Sequence, residues 1–333
     1  GGDKVTILCD RPHGDIPDRD EWKVRRGMAQ SWHRTLTGFA QNYGVQVKPM
    51  VEFMATGVKN ADLPEYGICQ GECVLLKDVI RESTIVFAMT QFSSSAPLLG
   101  LARVHDHLRI ASLPMVSPAM EETGLSADWE EVAAACAKLV PLFEEAESVE
   151  VTFSTGHRCT FDISNHNVVF QDNGLLAPGS RPGLPMFANL PAGEVFTVPN
   201  EAKESGTAGE IPVAYGDETV VLVVKRNRNV EVQGKGPIAQ QRSLEFLNEP
   251  DLCNIAEVAI GCNDKAVVTG NPLEDEKAGF HWAYGRSEHL GGTVGPERFS
   301  APGKVSHMDI VYAKGNPIEC ARCDFVLPDG TRK

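Results

Sequence analysis

The chain has 333 residues, of which 42% are hydrophobic and 23% charged, a composition typical of a globular protein with one large or two ordinary domains. Its 45 acidic residues outnumber 31 basic residues and give a net charge of −14. A chain this acidic is not expected to bind nucleic acid or an anionic membrane, and no apolar run approaches the roughly 18–20 residues that a membrane span needs.

The N-terminal part alternates strand and helix patterns. The segment "KVTILCD" predicts a strand, residues 20–43 have helical periodicity, and "STIVFAM" predicts a buried strand. The segment "LSADWEEVAAACAKLVPLFEEAE" predicts an amphipathic helix with Ser126 as its N-cap. This alternation predicts an α/β domain over residues 1–148 with a doubly wound, mostly parallel sheet. No GxGxxG loop follows the first strand, so we expect this domain to be a scaffold rather than a nucleotide site.

The pattern changes after residue 148. The segment "SVEVTFSTGHRCTFDIS" alternates with a period of two around a turn, which predicts a hairpin. Residues 174–193 are too rich in Gly and Pro to predict regular structure, and several short strand patterns follow them. We therefore expect a strand-rich C-terminal domain over residues 149–333. It contains nearly every residue with a pattern indicative of chemistry.

The cysteines indicate a reducing compartment. There are nine, an odd number, and the start "GGDKVTILCD" has neither a basic region nor a long apolar region of a signal peptide. These features predict a cytoplasmic protein. Two close pairs exist, Cys69 with Cys73 and Cys320 with Cys323. The two pairs lie in different halves of the chain, which favours ordinary thiols over a four-thiolate zinc site.

Acidic and histidine side chains accompany several short apolar strands of the second half. In "SHMDIVY", His307 and Asp309 are two positions apart, so a strand places both on one face. A lone Glu at a strand end is usually solvated, and a lone His is more often a hydrogen-bonded core residue. Their combination indicates a metal site, because mixed nitrogen and oxygen ligands suit zinc, manganese, cobalt or ferrous iron.

Five segments carry a family resemblance: "NLPAGEVFTVP", "GHRCTFDIS", "NIAEVAIGCN", "EDEKAGFHWAYG" and "HMD". Together they resemble the aminopeptidase T / aminopeptidase S family of metallopeptidases, M29. The resemblance implies one or two divalent metals, with Glu257 as the bridging carboxylate, and a homodimer. The ligand set that it implies is Glu194, Glu257, Glu276, His281, His307 and Asp309.

Three further residues are candidates for catalysis. Glu201 and Glu288 are additional carboxylates that can act as a general base or bind a substrate amine. The peptidases carry a catalytic Tyr shortly after the segment that matches "HWAYG", and Glu288 stands at that spacing here. Tyr284 is nearby but not at the matching position. The leading prediction is a hydrolase in which metal-activated water attacks the carbonyl of a small amide or short peptide.

Two other functions remain open from the sequence. The related 2,5-dihydroxypyridine 5,6-dioxygenases share a stretch present here as "PNEAKESGT", and they bind one ferrous ion through two His and one Asp. His281, His307 and Asp309 are the candidates for such a site, which would oxidise a hydroxylated ring or a similar small molecule. The third interpretation is a binding or structural protein whose site no longer turns over.

Overall fold

The structure, a computed structural model, describes residues 2–14, 16–165, 168–180 and 183–333. Its α-helices are α1 (Asp20–Tyr43), α2 (Leu76–Arg81), α3 (Ser95–Val104), α4 (Trp129–Glu145), α5 (Pro237–Asn248) and α6 (Pro272–Asp275). The strands up to residue 172 are β1 (Lys4–Arg11), β2 (Gln46–Val47), β3 (Val51–Met54), β4 (Tyr66–Cys69), β5 (Glu72–Leu75), β6 (Ile85–Met89), β7 (Arg109–Ser112), β8 (Ser148–Phe153), β9 (Arg158–Asp162) and β10 (Phe170–Asp172). The later strands are β11 (Phe187–Asn189), β12 (Glu194–Thr197), β13 (Ala208–Tyr215), β14 (Glu218–Lys225), β15 (Arg228–Gln233), β16 (Ile255–Gly261), β17 (Phe280–Gly285), β18 (His307–Val311) and β19 (Cys320–Val326).

The chain divides into two compact units. The first contains residues 1–130 and 173–192, and the second contains residues 131–172 and 193–333. This division differs from the single boundary between residues 148 and 149 that the sequence predicts. The chain crosses between the units more than once, because residues 173–192 return to the first unit after β10 is complete.

The first unit is built on a mostly parallel sheet of order β11-β7-β6-β1-β3-β4-β5, with β2 also paired to β1. The pairs β1–β3, β1–β6, β6–β7 and β7–β11 are parallel, and the pairs β3–β4 and β4–β5 at one end of the sheet are antiparallel. The strand β1 is buried on both faces, and β6 is buried on one face and largely half-buried on the other, as their continuous runs of apolar residues predict. The predicted α/β class with a mostly parallel N-terminal sheet is confirmed.

Two local predictions for this part of the chain are wrong. The stretch 174–193 does contain regular structure, because β11 pairs with β7 at the edge of the parallel sheet; its residues 181 and 182 lie outside the described ranges. The helix α4 begins at Trp129, and Ser126 belongs to the preceding 3₁₀ turn. Asp128 Oδ1 instead accepts a hydrogen bond of 2.9 Å from the Glu130 amide, as an N-cap side chain does.

The second unit contains two antiparallel sheets. One has five strands in the order β10-β12-β16-β17-β18, and the other has six in the order β15-β14-β13-β9-β8-β19. An aromatic layer packs between them: the ring of Phe153 in β8 lies 6.3 Å from that of Phe280 in β17 and 4.6 Å from that of Tyr312. Trp282 is fully buried and donates to the Tyr312 hydroxyl. One face of the five-stranded sheet is therefore core, which leaves the opposite face for the polar side chains of β17.

The helices have no membrane-spanning character. The longest, α1, has 24 residues, yet neither it nor any other helix in the described ranges combines the length and apolar character that a bilayer crossing requires.

Candidate metal centre

Strand register places the predicted ligands on one face of the five-stranded sheet. Glu257 in β16 lies opposite Ala283 in β17, and Ala283 lies opposite Asp309 in β18. Directly opposed residues of antiparallel strands point to the same side, so the two carboxylates flank a single methyl group. The remaining ligands also face small residues: His281 is opposite Ala259, His307 is opposite Gly285, and Glu194 is opposite Gly261. The small side chains leave the space in which the long polar ones meet.

Three buried residues form the first group of donors, which we call the inner triad: Glu194, Glu257 and His281. His281 Nε2 lies 3.3 Å from Glu194 Oε2 and 3.6 Å from Glu257 Oε1. The three donor atoms lie within 4.8 Å of one another, a separation that one cation between them can bridge.

A second group, the outer triad, is Glu257, His307 and Asp309, of which Glu257 is buried and the other two are half-buried. His307 Nε2 lies 2.9 Å from Glu257 Oε2 and 3.3 Å from Asp309 Oδ1. Glu257 thus belongs to both triads and offers a different oxygen to each histidine. This is the arrangement expected of a carboxylate that bridges two metal ions.

Both histidines are oriented by the backbone. Nδ1 of His281 lies 3.3 Å from the Gly279 carbonyl oxygen, and Nδ1 of His307 lies 2.7 Å from that of Arg286. A carbonyl can only accept, so each Nδ1 carries a proton and each Nε2 is directed at the carboxylates. Metal-binding histidines are commonly held by such a bond on the other ring nitrogen.

The electrostatics show that the carboxylates attract positive charge here. Burial lowers the pKa of His281 and His307, but the adjacent carboxylates outweigh it and raise both well above the usual value. Burial raises the pKa of Glu257 and Asp309, but the imidazoles outweigh it and lower both. In the absence of a metal, the imidazoles therefore carry protons that neutralise the carboxylates.

A divalent cation fits these donors. The buried Glu194 Oε2 has no hydrogen bond that meets geometric criteria among the described residues, and its ion-pair partner is His281 Nε2, at 3.3 Å. An unsatisfied buried carboxylate oxygen is costly unless a cation binds it. This oxygen belongs to the inner triad, so the donor set suits a metal with mixed nitrogen and oxygen ligands.

Glu276, the sixth predicted ligand, belongs to neither triad. It lies in a 3₁₀ turn after α6, and its Oε2 accepts a hydrogen bond of 3.1 Å from Lys277 Nζ. Burial and the negative charge of Asp309 raise its pKa to about 8. Glu276 therefore lies beside the centre, within the electrostatic influence of Asp309, rather than within either donor group.

Sequence reasoning did not identify Lys277. Its side chain is completely buried, and Nζ donates to Glu194 Oε1 at 2.6 Å as well as to Glu276. Burial lowers its pKa, but the charges of Glu194, Glu276 and Asp172 outweigh burial and raise it. Asp172 was also missed, although it lies directly opposite Glu194 in the β10–β12 pair. The only signal for Lys277 was its position in the acidic run "EDEK".

Glu201, a predicted catalytic residue, is engaged in structural hydrogen bonds. Its Oε1 accepts from Asn254 Nδ2 at 2.7 Å and from Ser287 Oγ at 2.6 Å. Its Oε2 accepts from both the amide and the hydroxyl of Thr293, at 2.5 and 2.7 Å. Each oxygen already has two donors, so this carboxylate fixes the 287–293 loop against β16 and is not available as a base.

The other two predicted catalytic residues also lie away from the donors. Tyr284 is three positions after His281 in β17 and therefore points to the opposite face. There it is buried against Phe246, with ring centroids 5.5 Å apart, and hydrogen-bonds Tyr215. Glu288 is half exposed and pairs with Arg286 at 2.8 Å. His289, which the sequence patterns did not indicate, has its ring 5.0 Å from that of His307.

Comparisons with known proteins agree with this geometry. Residues 118–299, more than half of the chain, match the family model described as thermophilic metalloprotease (M29). Among solved structures, a 2,5-dihydroxypyridine dioxygenase from Pseudomonas putida KT2440 has a TM-score of 0.61 at 16% identity, covering 98% of this chain and 89% of that one. AmpT from Thermus thermophilus has a TM-score of 0.58 at 16% identity, covering 100% of this chain and 92% of that one.

At that identity the two solved structures show a shared fold only. A search of curated proteins finds no match. The family model covers β10, β12, β16 and β17 and therefore includes Glu194, Glu257 and His281, the whole inner triad. The chain belongs to the M29 family of thermophilic metalloproteases.

Proposed function

We propose that the protein is a metal-dependent hydrolase that cleaves an amide or peptide bond of a small substrate, as an aminopeptidase does. The observation that carries the proposal is the position of Glu257, whose two oxygens face His281 and His307 in two donor triads. Membership of a metalloprotease family supports the same conclusion.

The chain supplies donors for the metal and holds them in place. The inner and outer triads would bind one or two divalent ions, of which zinc, manganese and cobalt suit the donors. When bound, such an ion lowers the pKa of a water molecule and polarises a substrate carbonyl. The backbone carbonyls of Gly279 and Arg286 keep both imidazoles oriented.

Glu276 is the group that we assign to proton exchange. It lies outside both triads, yet Lys277 holds its Oε2 next to the centre. Burial and Asp309 raise its pKa in the metal-free protein, and a carboxyl beside the centre can both accept and return a proton. We assign this role in place of the predicted roles of Glu201, Tyr284 and Glu288. Glu201 accepts two hydrogen bonds at each oxygen, Tyr284 points to the opposite face of β17, and Glu288 pairs with Arg286 at the surface.

The donor geometry favours hydrolysis over iron oxygenation. A mononuclear oxygenase site of the facial type uses two histidines and one carboxylate. Each triad found among the described residues instead contains one histidine and two carboxylates. A small-molecule or short-peptide substrate, a homodimer and a cytoplasmic location remain predictions.

The experiment is reconstitution of chelator-treated protein. The protein receives Zn²⁺, Mn²⁺ or Co²⁺ in air, or Fe²⁺ without oxygen, and is assayed with aminoacyl amides. Oxygen uptake with a dihydroxypyridine is measured in parallel, after the Fe²⁺-loaded protein is transferred to air-saturated buffer. We expect amide hydrolysis that returns with a divalent ion and is lost in Glu257→Gln but kept in Glu288→Gln, a matched change on the surface. Oxygen uptake without hydrolysis would show an oxygenase, and no activity with any ion would support a non-catalytic binding protein.

A further inference from the structure

Lys277 contacts one triad and not the other. Its ammonium lies 2.6 Å from Glu194 Oε1 in the inner triad and 3.1 Å from Glu276. Within the described ranges, Glu257 and Asp309 form ion pairs with histidine alone, and neither pairs with a lysine or arginine. The outer triad therefore has no fixed cationic side chain in contact with it.

The contact with Lys277 determines which oxygen of Glu194 is available to bind a metal. Its Oε1 is occupied by the lysine, so only Oε2, the oxygen without a hydrogen-bond partner, is available. A divalent ion on Oε2 would be separated from the ammonium by one carboxylate group. Like charges at that separation in a buried site repel strongly. Asp172 offsets part of the lysine charge, so the binding of a cation to the inner triad is weakened rather than excluded.

Burial makes the ammonium difficult to move. The Lys277 side chain has no exposed surface, and its backbone carbonyl accepts a hydrogen bond of 3.0 Å from the Asn263 amide just beyond β16. Gly261, at the end of β16, has no side chain, and a Cβ there would lie 2.1 Å from the Glu276 carbonyl oxygen. The 3₁₀ turn that contains Lys277 is therefore packed directly against the strand that carries Glu257.

We propose that Lys277 makes the two metal positions unequal. The outer triad binds the first cation tightly, and the inner triad binds a second cation at least about 100-fold more weakly because the fixed ammonium opposes it. The inference rests on the proposed function, since it concerns the same donors. It assigns Lys277 as a residue that acts through Glu194 and sets the relative affinity of the two metal positions.

Calorimetric titration of metal-free protein with Zn²⁺ tests this inference without an activity assay. The native protein should show one tight step and one step at least about 100-fold weaker. Lys277→Met removes the charge and keeps the length, and it should tighten the weak step at least 10-fold while changing the tight step less than about 3-fold. Lys277→Arg keeps the charge and should keep the two steps unequal. Lys265→Met, at an exposed lysine, is the matched control.

Two further variants keep the test decisive if Lys277→Met does not fold. Glu194→Gln should lose the weak step and retain the tight one, whereas Asp309→Asn should lose the tight step. Two equal steps in the native protein, or loss of the tight step in Glu194→Gln, would overturn the inference and leave the hydrolase proposal intact. Unequal binding without hydrolysis by any loaded form would contradict the proposed function and leave the role of Lys277 standing.

Discussion

Glu257 Oε2 in β16 lies 2.9 Å from His307 Nε2 in β18, across the intervening strand β17. In that strand, Ala283 lies between the carboxylates of Glu257 and Asp309. The same glutamate turns its other oxygen towards His281. One side chain therefore connects two histidines that are 26 residues apart in the chain and lie on neighbouring strands. The centre depends on Glu257 more than on any other donor, because the loss of this residue removes a ligand from each of the two triads.

Replacement of Glu257 should remove metal binding. Loss of an outer-sphere partner usually costs 10–100-fold in affinity, so Glu257→Gln, which removes a shared ligand, should weaken every cation step by more than about 100-fold. Metal content after dialysis, measured by elemental analysis, checks this. Glu288→Gln carries the same chemical change on a half-exposed side chain and should retain full stoichiometry. Equal metal content in the two variants would refute the ligand assignment.

The strand patterns predicted much of this centre. His307 and Asp309 lie on one face because residues two apart in a strand do so, and the structure brings both to Glu257. The sequence also contained the evidence against Tyr284, since residues three apart in a strand lie on opposite faces. Glu201 was not predictable in this way, because its four donors come from Asn254, Ser287 and Thr293, in segments far apart in the chain.

Glu201 should prove to be a stability residue. Its carboxylate accepts two hydrogen bonds at each oxygen, and removing a charged acceptor leaves those donors unpaired. Glu201→Ala should lower the free energy of unfolding by about 2–4 kcal/mol. Urea unfolding of the metal-free protein measures this, with Glu204→Ala, at an exposed glutamate of the same loop, as the control. Unchanged stability together with lost hydrolysis would restore Glu201 as a catalytic candidate.

Removal of the Tyr284 hydroxyl should leave the chemistry unaffected. The hydroxyl contacts Tyr215 on the core face of β17, and burial together with the Tyr215 charge raises its pKa. Tyr284→Phe keeps the packing against Phe246 and should cost about 0.5–1.5 kcal/mol of stability. Steady-state kinetics should give kcat and KM within about 2-fold of the native values. A drop in kcat beyond about 100-fold with normal metal content would make Tyr284 catalytic.

The free energy of unfolding of the metal-free protein should depend on pH through the titration of Glu276. Its pKa is 4.5 for an isolated side chain and about 8 in the folded protein, because burial and Asp309 disfavour the charged form. Between these values the folded state binds a proton that the unfolded state lacks, so the free energy of unfolding decreases as pH rises from about 4.5 to 8. The pKa values of His281 and His307 are also raised, so these residues further decrease the free energy of unfolding as pH rises above 6.5.

Urea unfolding at several pH values checks this dependence. Glu276→Gln cannot titrate, so its stability should decline less steeply over the range from 4.5 to 8 than that of the native protein. The decline due to the two histidines should remain. Glu288→Gln, at a half-exposed position, should follow the native profile. A Glu276→Gln profile parallel to the native one would show that this carboxyl titrates normally.

The fold was predictable where single segments determine the outcome. The strand β1, the helix α1 and the β8–β9 hairpin lie where the local patterns place them. Long-range partners were not predictable: β11 is a three-residue strand that becomes regular only by pairing with β7, and Lys277 gains its role only from Glu194, 83 positions earlier. In both cases the partner is absent from the local sequence.

Anomalous diffraction from crystals loaded with Zn²⁺ or Mn²⁺ tests the metal centre most directly. We expect a cation coordinated by the Glu257 carboxylate, His307 Nε2 and Asp309 at about 2.0–2.2 Å. At higher metal concentration, a second cation should bind the other Glu257 oxygen together with His281 and Glu194. A cation bound elsewhere with Glu257 uncoordinated, or no bound cation at saturating metal, would contradict the assignment of this sheet face as the catalytic metal centre.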